Sequence, residues 1–160
     1  MKTLVIISVG LYLLLCSSCQ KNTFPKIPSI SQLHFGPDSI RVNLDTAYLQ
    51  FHFTDGQADL GNDPNATTLP IKYDIYIKDF RYDTAFVGYF FPAIDHSIED
   101  SKKGIEGTCT FLFIGPSAIT PRPDSLHMLH GDTTHFEYYI QGRSGDTSNH
   151  IVTVSIIVRP

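Results

Sequence analysis

From Ala47 to Thr54 the chain alternates strictly, with Leu49, Phe51 and Phe53 on one side and Tyr48, Gln50, His52 and Thr54 on the other. A period of two places these sets on opposite faces of a pleated strand and does not fit the period of a helix. The pattern recurs. Ile71, Tyr73, Ile75 and Ile77 alternate with Lys72, Asp74, Tyr76 and Lys78. Phe136, Tyr138 and Ile140 alternate within 135–141, and Val152, Val154, Ile156 and Val158 within 149–158. Residues 39–44 and 86–91 read as short strands, and 107–114, apolar on both faces, as a central one. Strong helix formers are scarce: only 3 of the 16 acids are Glu, while Ile, Thr, Tyr and Phe are plentiful. The expectation is an all-β domain, an immunoglobulin-like β-sandwich of about seven strands, with a small barrel as the alternative. Its expected core is Leu49, Phe51, Phe53, Tyr73, Ile75, Ile77, Phe111, Phe113, Tyr138, Ile140, Val152, Val154 and Ile156. Residues 95–103 read as a loop or a single helical turn, and 117–131 as a long Pro- and His-containing loop.

The N-terminus sets an address. Lys2 precedes an apolar run from Leu4 to Leu15, which ends in Cys16-Ser17-Ser18-Cys19. A positive charge, about a dozen apolar residues and a small-residue boundary describe a signal peptide over 1–18, too short for a permanent span. Ser17 and Ser18 before Cys19 resemble a bacterial lipobox, which implies acylation of Cys19, although Cys16 stands where Leu is usual. Residues 19–32, with two prolines and small polar residues, read as lipid anchor and tether. The β-domain is then expected over 33–160.

Charge and cysteine usage narrow the function classes. The formal charge is −4 with no basic cluster, which argues against nucleic acid as a partner. With Cys19 acylated, Cys109 is left alone in the strand-like run Thr108–Phe113, as a small buried apolar residue. His127 and His130 are too few for zinc without a third ligand. No nucleophile elbow, H-E-x-x-H or phosphate loop occurs, and nothing pairs Glu99 with Glu106 as glycoside hydrolysis requires. The expectation is a protein without catalytic residues.

The sharpest local feature is Phe53–Asp63, with oxygen-bearing side chains at Asp55, Gln57, Asp59 and Asp63 and glycines at 56 and 61. Alternate carboxylates on a Gly-containing loop can wrap Ca²⁺, and the same residues can equally close a turn by accepting hydrogen bonds from backbone N–H groups. The segment resembles the F-T-D-G-D-G-D-x-G motif of a family of uncharacterised Bacteroidota lipoproteins. Other landmarks of that family are matched by Asp79-Phe80-Arg81, Phe91-Pro92-Ala93-Ile94, Lys103–Gly107 and Gly142–Asn149, the last resembling its D-R-x-G-N-x-S-N turn. The resemblance covers roughly residues 45–158 and implies a small β-sandwich-like domain on a lipid anchor, with no established activity. Four positions depart from it: Gln57 and Gly142 replace Asp, Ala58 replaces Gly, and Asp146 replaces Asn. Fewer carboxylates imply weak Ca²⁺ binding at most.

Asp-(Ser/Thr) triplets recur at Ser39, Thr46, Thr84, Ser125 and Thr133. They resemble Bacteroidota O-glycosylation acceptors, and Asp-Ser and Asp-Thr also favour turns and strand starts. The expected function is a non-enzymatic, lipid-anchored envelope protein with an envelope protein or a glycan as partner. The runner-up is an accessory glycan-binding lipoprotein of an outer-membrane nutrient importer. Tyr48, Tyr76 and Tyr139 fall on outward faces and are the candidate contacts. No acidic residue follows Cys19 over 20–23, so a periplasm-facing outer-membrane anchor is favoured over surface exposure. Cys19→Ala should abolish acylation and move the protein to the soluble fraction; unchanged membrane partition contradicts the lipid anchor.

Overall fold

The computed structural model describes residues 24–61, 72–82, 85–92, 94, 103–113 and 129–160. Ten strands are found among them: β1 (Ser29–Gly36), β2 (Ser39–Arg41), β3 (Ala47–Asp55), β4 (Ile75–Asp79), β5 (Val87–Tyr89), β6 (Ile105–Phe113), β7 (Asp132–Thr134), β8 (Phe136–Ile140), β9 (Ile151–Val152) and β10 (Ile156–Arg159). They form three sheets, A (β1-β3-β6), B (β2-β10-β7) and C (β5-β4-β8-β9). Pairing is antiparallel throughout, except that β10 runs parallel to β2. The protein is all-β, and sheets A and C pack face to face in the manner of a sandwich.

The alternation explains the packing. Ala47, Leu49, Phe51, Phe53 and Asp55 of β3 all point inward. Ile75 and Ile77 of β4 meet Ile140 and Tyr138 of β8 in register on the inner face of sheet C. Across the layers, Phe51 lies 5.7 Å from Tyr138 and Phe35 is stacked on Phe136 at 5.5 Å. Phe91 closes the gap with its ring edge-on to Phe53 at 5.1 Å. Ile40, Ile156 and Val158 bring sheet B into the same core.

Four expectations are corrected. First, the folded part begins before Leu33: β1 starts at Ser29, Ile30 is buried, and the Gly56 amide donates to Pro25 O at 2.9 Å. Pro25, Pro28 and the small polar residues around them gave the stretch the composition of a tether, and a register shift between Gln32 and His34 breaks the alternation of β1 beyond it. Second, 149–158 is two strands in two sheets. Thr153 is the pivot, buried with its Oγ1 accepting the Phe136 amide at 2.9 Å, and this turns Val152 and Val154 out to solvent. Third, Tyr73 is 44% exposed, because β4 begins only at Ile75. Fourth, β6 pairs with β3 alone among the described residues, so β3 is the middle strand of sheet A. Phe111 is half-buried against the Tyr89 ring. Ile71, the Phe113 side chain and most of 95–103 and 117–131 lie outside the described residues.

Phe51 is fully buried, so Phe51→Ala should cost ~3–5 kcal/mol, whereas Phe111→Ala, starting half wet, should cost roughly 1–3 kcal/mol. Urea unfolding of the two variants checks the order, and an equal or inverted pair of costs contradicts the packing.

Candidate functional site

β3, β4 and β8 each have one terminus at the same end of the sandwich, and there the sequence motifs meet. The period of β3 carries Asp55 inward to a fully buried position. Burial raises its pKa, and two backbone amides offset part of that cost: Gln57 N donates to Oδ1 at 2.9 Å and Asp59 N to Oδ2 at 2.8 Å. Ala58 between them adopts a positive φ of 55° and is buried. Asp59 then holds the 142–148 turn. Its carbonyl accepts Arg143 N at 3.0 Å and its Oδ2 accepts Ser144 N at 2.7 Å. Its Oδ1 is buried with no hydrogen-bond partner among the described residues, packed so closely on Gly142 that a Cβ there would collide with it. Glycine at 142 therefore follows from the position of Asp59.

Gln57 and Asp146 face each other across the two loops. Gln57 Nε2 donates to Asp146 Oδ2 at 2.6 Å and to Ser144 Oγ at 3.3 Å. The contact pairs an amide donor with a carboxylate acceptor.

Asp74 is a residue that the alternation misplaces. Counted outward by period, it is in fact 1% exposed, since it precedes β4 and turns beneath the 55–61 loop. Burial pushes its carboxyl up to about 6, against the pull of the Phe91 amide and the Arg143 charge. Arg143 Nη1 donates to Gly61 O at 2.9 Å. Asn149, also unforeseen, acts as a piece of strand: its Oδ1 accepts Ile30 N and its Nδ2 donates to Ile30 O, both at 2.9 Å.

At the opposite end Asp79-Phe80-Arg81 forms a buried ion pair. Arg81 Nη2 lies 2.6 Å from Asp79 Oδ2, Nη1 lies 3.5 Å from Asp132 Oδ2, and Thr134 Oγ1 donates to Asp79 Oδ1 at 2.6 Å. Burial alone would raise the Asp79 pKa; the Arg81 and Thr134 contacts outweigh it and hold the carboxyl below its usual range.

The outer face of sheet C carries an aromatic row. Tyr76 and Tyr139 are stacked at 4.9 Å and 8°, and Tyr139 and His150 at 4.5 Å and 11°. Phe86 stands edge-on to Tyr139 at 5.1 Å, and His150 Nδ1 lies 2.8 Å from Glu137 Oε1. Outward period-two positions on β4 and β8 signal Tyr76 and Tyr139, whereas Phe86 only opens the 86–91 run and His150 shares the parity of Val152 in 149–158, so neither stood out as a surface contact. Tyr48 sits apart on sheet A beside His34.

Of the other candidate residues, Asp63, Thr84, Ser125, His127 and Glu99 lie outside the described residues. Among the described residues no three His, Cys, Asp or Glu side chains group as metal ligands. Thr46 and Thr133 are exposed, and Ser39 is half-buried in β2. His130 and Glu106 are exposed and far apart in sequence and element. Cys109 is a buried free thiol whose pKa burial pushes up to about 11, an unreactive setting. Compared with models of protein families, with curated proteins and with solved structures, the chain matches none.

The folded pKa of Asp74 is above its unfolded value, so the folded state binds more protons between about 4 and 6. Stability should therefore fall as pH rises through that window, by about 2–3 kcal/mol from this group, with Asp55 adding in the same sense. Urea midpoints at pH 4.5 and 7 should show this slope, and Asp74→Asn should flatten it. A slope unchanged by Asp74→Asn contradicts the burial of an ionisable Asp74.

Proposed function

We propose that the chain is a lipid-anchored cell-envelope protein whose β-sandwich, of immunoglobulin-like type, binds a partner without catalysing a reaction. The observation that carries this reading is the Tyr76–Tyr139–His150 row with Phe86 beside it, on the outward face of a sheet whose inward face is fully packed. Aromatic groups with polar tips are a binding surface in waiting, since each couples apolar area to a hydrogen-bonding end at small entropic cost. Lys78 and Glu137, paired in register beside the row, add charge of both signs. The partner is an envelope protein or a glycan, and the anchor is Cys19 in the outer membrane, facing the periplasm, with surface exposure as the other arrangement. Among the described residues no helix is long and apolar enough to cross a membrane.

The second reading, an accessory glycan-binding lipoprotein beside an outer-membrane nutrient importer, draws on the same row. Sugars present apolar C–H faces beside hydroxyls, and a Tyr/His surface flanked by Glu137 offers both ring area and acceptors. A panel of plant, host and microbial glycans tests it. Binding that drops at least tenfold in Tyr76→Ala and Tyr139→Ala, with melting temperatures kept, supports the glycan reading. Silence across the panel turns the row over to a protein partner.

A further inference from the structure

We infer that the motif-bearing end of the sandwich, formed by the 55–61 and 141–149 loops, rests on the bilayer that holds the lipid anchor, with exposed lysines and apolar side chains on phospholipid headgroups. The inference rests on acylation of Cys19, the proposed anchor.

Chain length supplies the first argument. The Gly56 amide is bonded to Pro25 O, and Ser29 of β1 pairs with Thr54 of β3, so the chain enters the domain at the end where β3 finishes in Asp55. Only five Cα steps separate Cys19 from Phe24. Fully extended, that stretch reaches roughly 18 Å. The opposite end, around Gly36, Ala47 and Asp79, lies beyond the far ends of β1 and β3 and faces away.

Side-chain chemistry supplies the second. Of the four described lysines, Lys26, Lys72 and Lys103 belong to this end and are exposed, and Lys78 does not. Lys72 Nζ lies 3.4 Å from Arg143 O, and Gly104, next to Lys103, packs on the backbone of Asp55 and Gly56. Of the described carboxylates at this end, Asp55 and Asp74 are buried, Asp59 holds Ser144 and Asp146 accepts from Gln57, while Glu106 is exposed. Exposed apolar groups stand among the lysines, with Ile27 58%, Tyr73 44% and Phe90 49% exposed, Tyr73 and Phe90 in ring contact at 4.9 Å. Ammonium groups around Tyr, Phe and Ile suit the headgroup layer, where cations meet phosphates and amphipathic rings sit at the apolar boundary.

The experiment uses the full-length lipidated protein in vesicles of phosphatidylethanolamine and phosphatidylglycerol carrying a headgroup-linked energy acceptor. A donor dye is placed on Pro92→Cys at the motif end or on Asp38→Cys at the opposite end, and Thr147→Cys replaces Pro92→Cys if that variant does not fold. The expected result is transfer from 92 or 147 several-fold more efficient than from 38. Combining Lys26→Glu, Lys72→Glu and Lys103→Glu should shrink that difference while the protein stays vesicle-bound. Equal or inverted efficiencies in an anchored protein overturn the inference, as does a difference untouched by the triple change. A protein whose Cys19 peptide carries no acyl chain and that stays in the soluble fraction instead removes the anchor, and that outcome is read separately by mass spectrometry and flotation.

Discussion

The structure depends on one buried carboxylate. Asp55 is the last inward residue of β3, where the period that fills the core with Leu49, Phe51 and Phe53 runs into a charge. Without partners it would be costly there. Its two amide hydrogen bonds fold the next four residues back into a turn, and the turn presents Asp59 to the 142–144 backbone. Two loops almost ninety residues apart are thereby joined, and Asp74 and Arg143 are enclosed beneath them. Asn149 extends the same join to β1 by imitating a strand neighbour of Ile30. The Arg81–Asp79–Asp132 cluster does at the opposite end what Asp55 does here, tying β4 to β7 through charges that only pairing makes tolerable.

Much of this was legible in the residues. Alternation located β3, the end of β4, β8 and the inward residues Phe51, Ile75, Tyr138 and Ile140, because half-buried strands leave a period of two in the sequence. It failed where the backbone departs from a regular strand. β1 carries a register shift, Thr153 breaks the last run into two sheets, and Asp74 sits one residue outside its strand. None of these leaves a periodic trace, since each is decided by a tertiary hydrogen bond or by which sheet the chain joins. The 55–63 loop was visible as chemistry, yet its oxygens could read as metal ligands or as acceptors for amides. For Asp55 the geometry shows the second, with both oxygens bonded to backbone N–H groups. That Gln57 meets Asp146 could not be read from either position alone.

These observations divide the molecule by task. The hydrogen-bonded end is built from its most distinctive residues, yet its polar groups are turned on one another, as expected of a structural join. The aromatic row on sheet C is built from ordinary strand positions and is turned to solvent. The proposed function accordingly lies with Tyr76, Tyr139, His150 and Phe86, and the proposed contact with the bilayer lies with the lysines that rim the join.

The claim on which the rest stands is that the two loops form one cooperative unit built on Asp55 and Asp59. Native-state hydrogen exchange reads it directly at the amides of Gln57, Asp59, Arg143 and Ser148, which donate to Asp55 Oδ1, Asp55 Oδ2, Asp59 O and Ile140 O. Amides that open together exchange with a shared free energy. The account predicts similar, strong protection at all four, lost together at Gln57, Asp59 and Arg143 in Asp55→Ala while the β3–β6 ladder stays protected. Exchange of those amides at unprotected rates in the parent protein would contradict it.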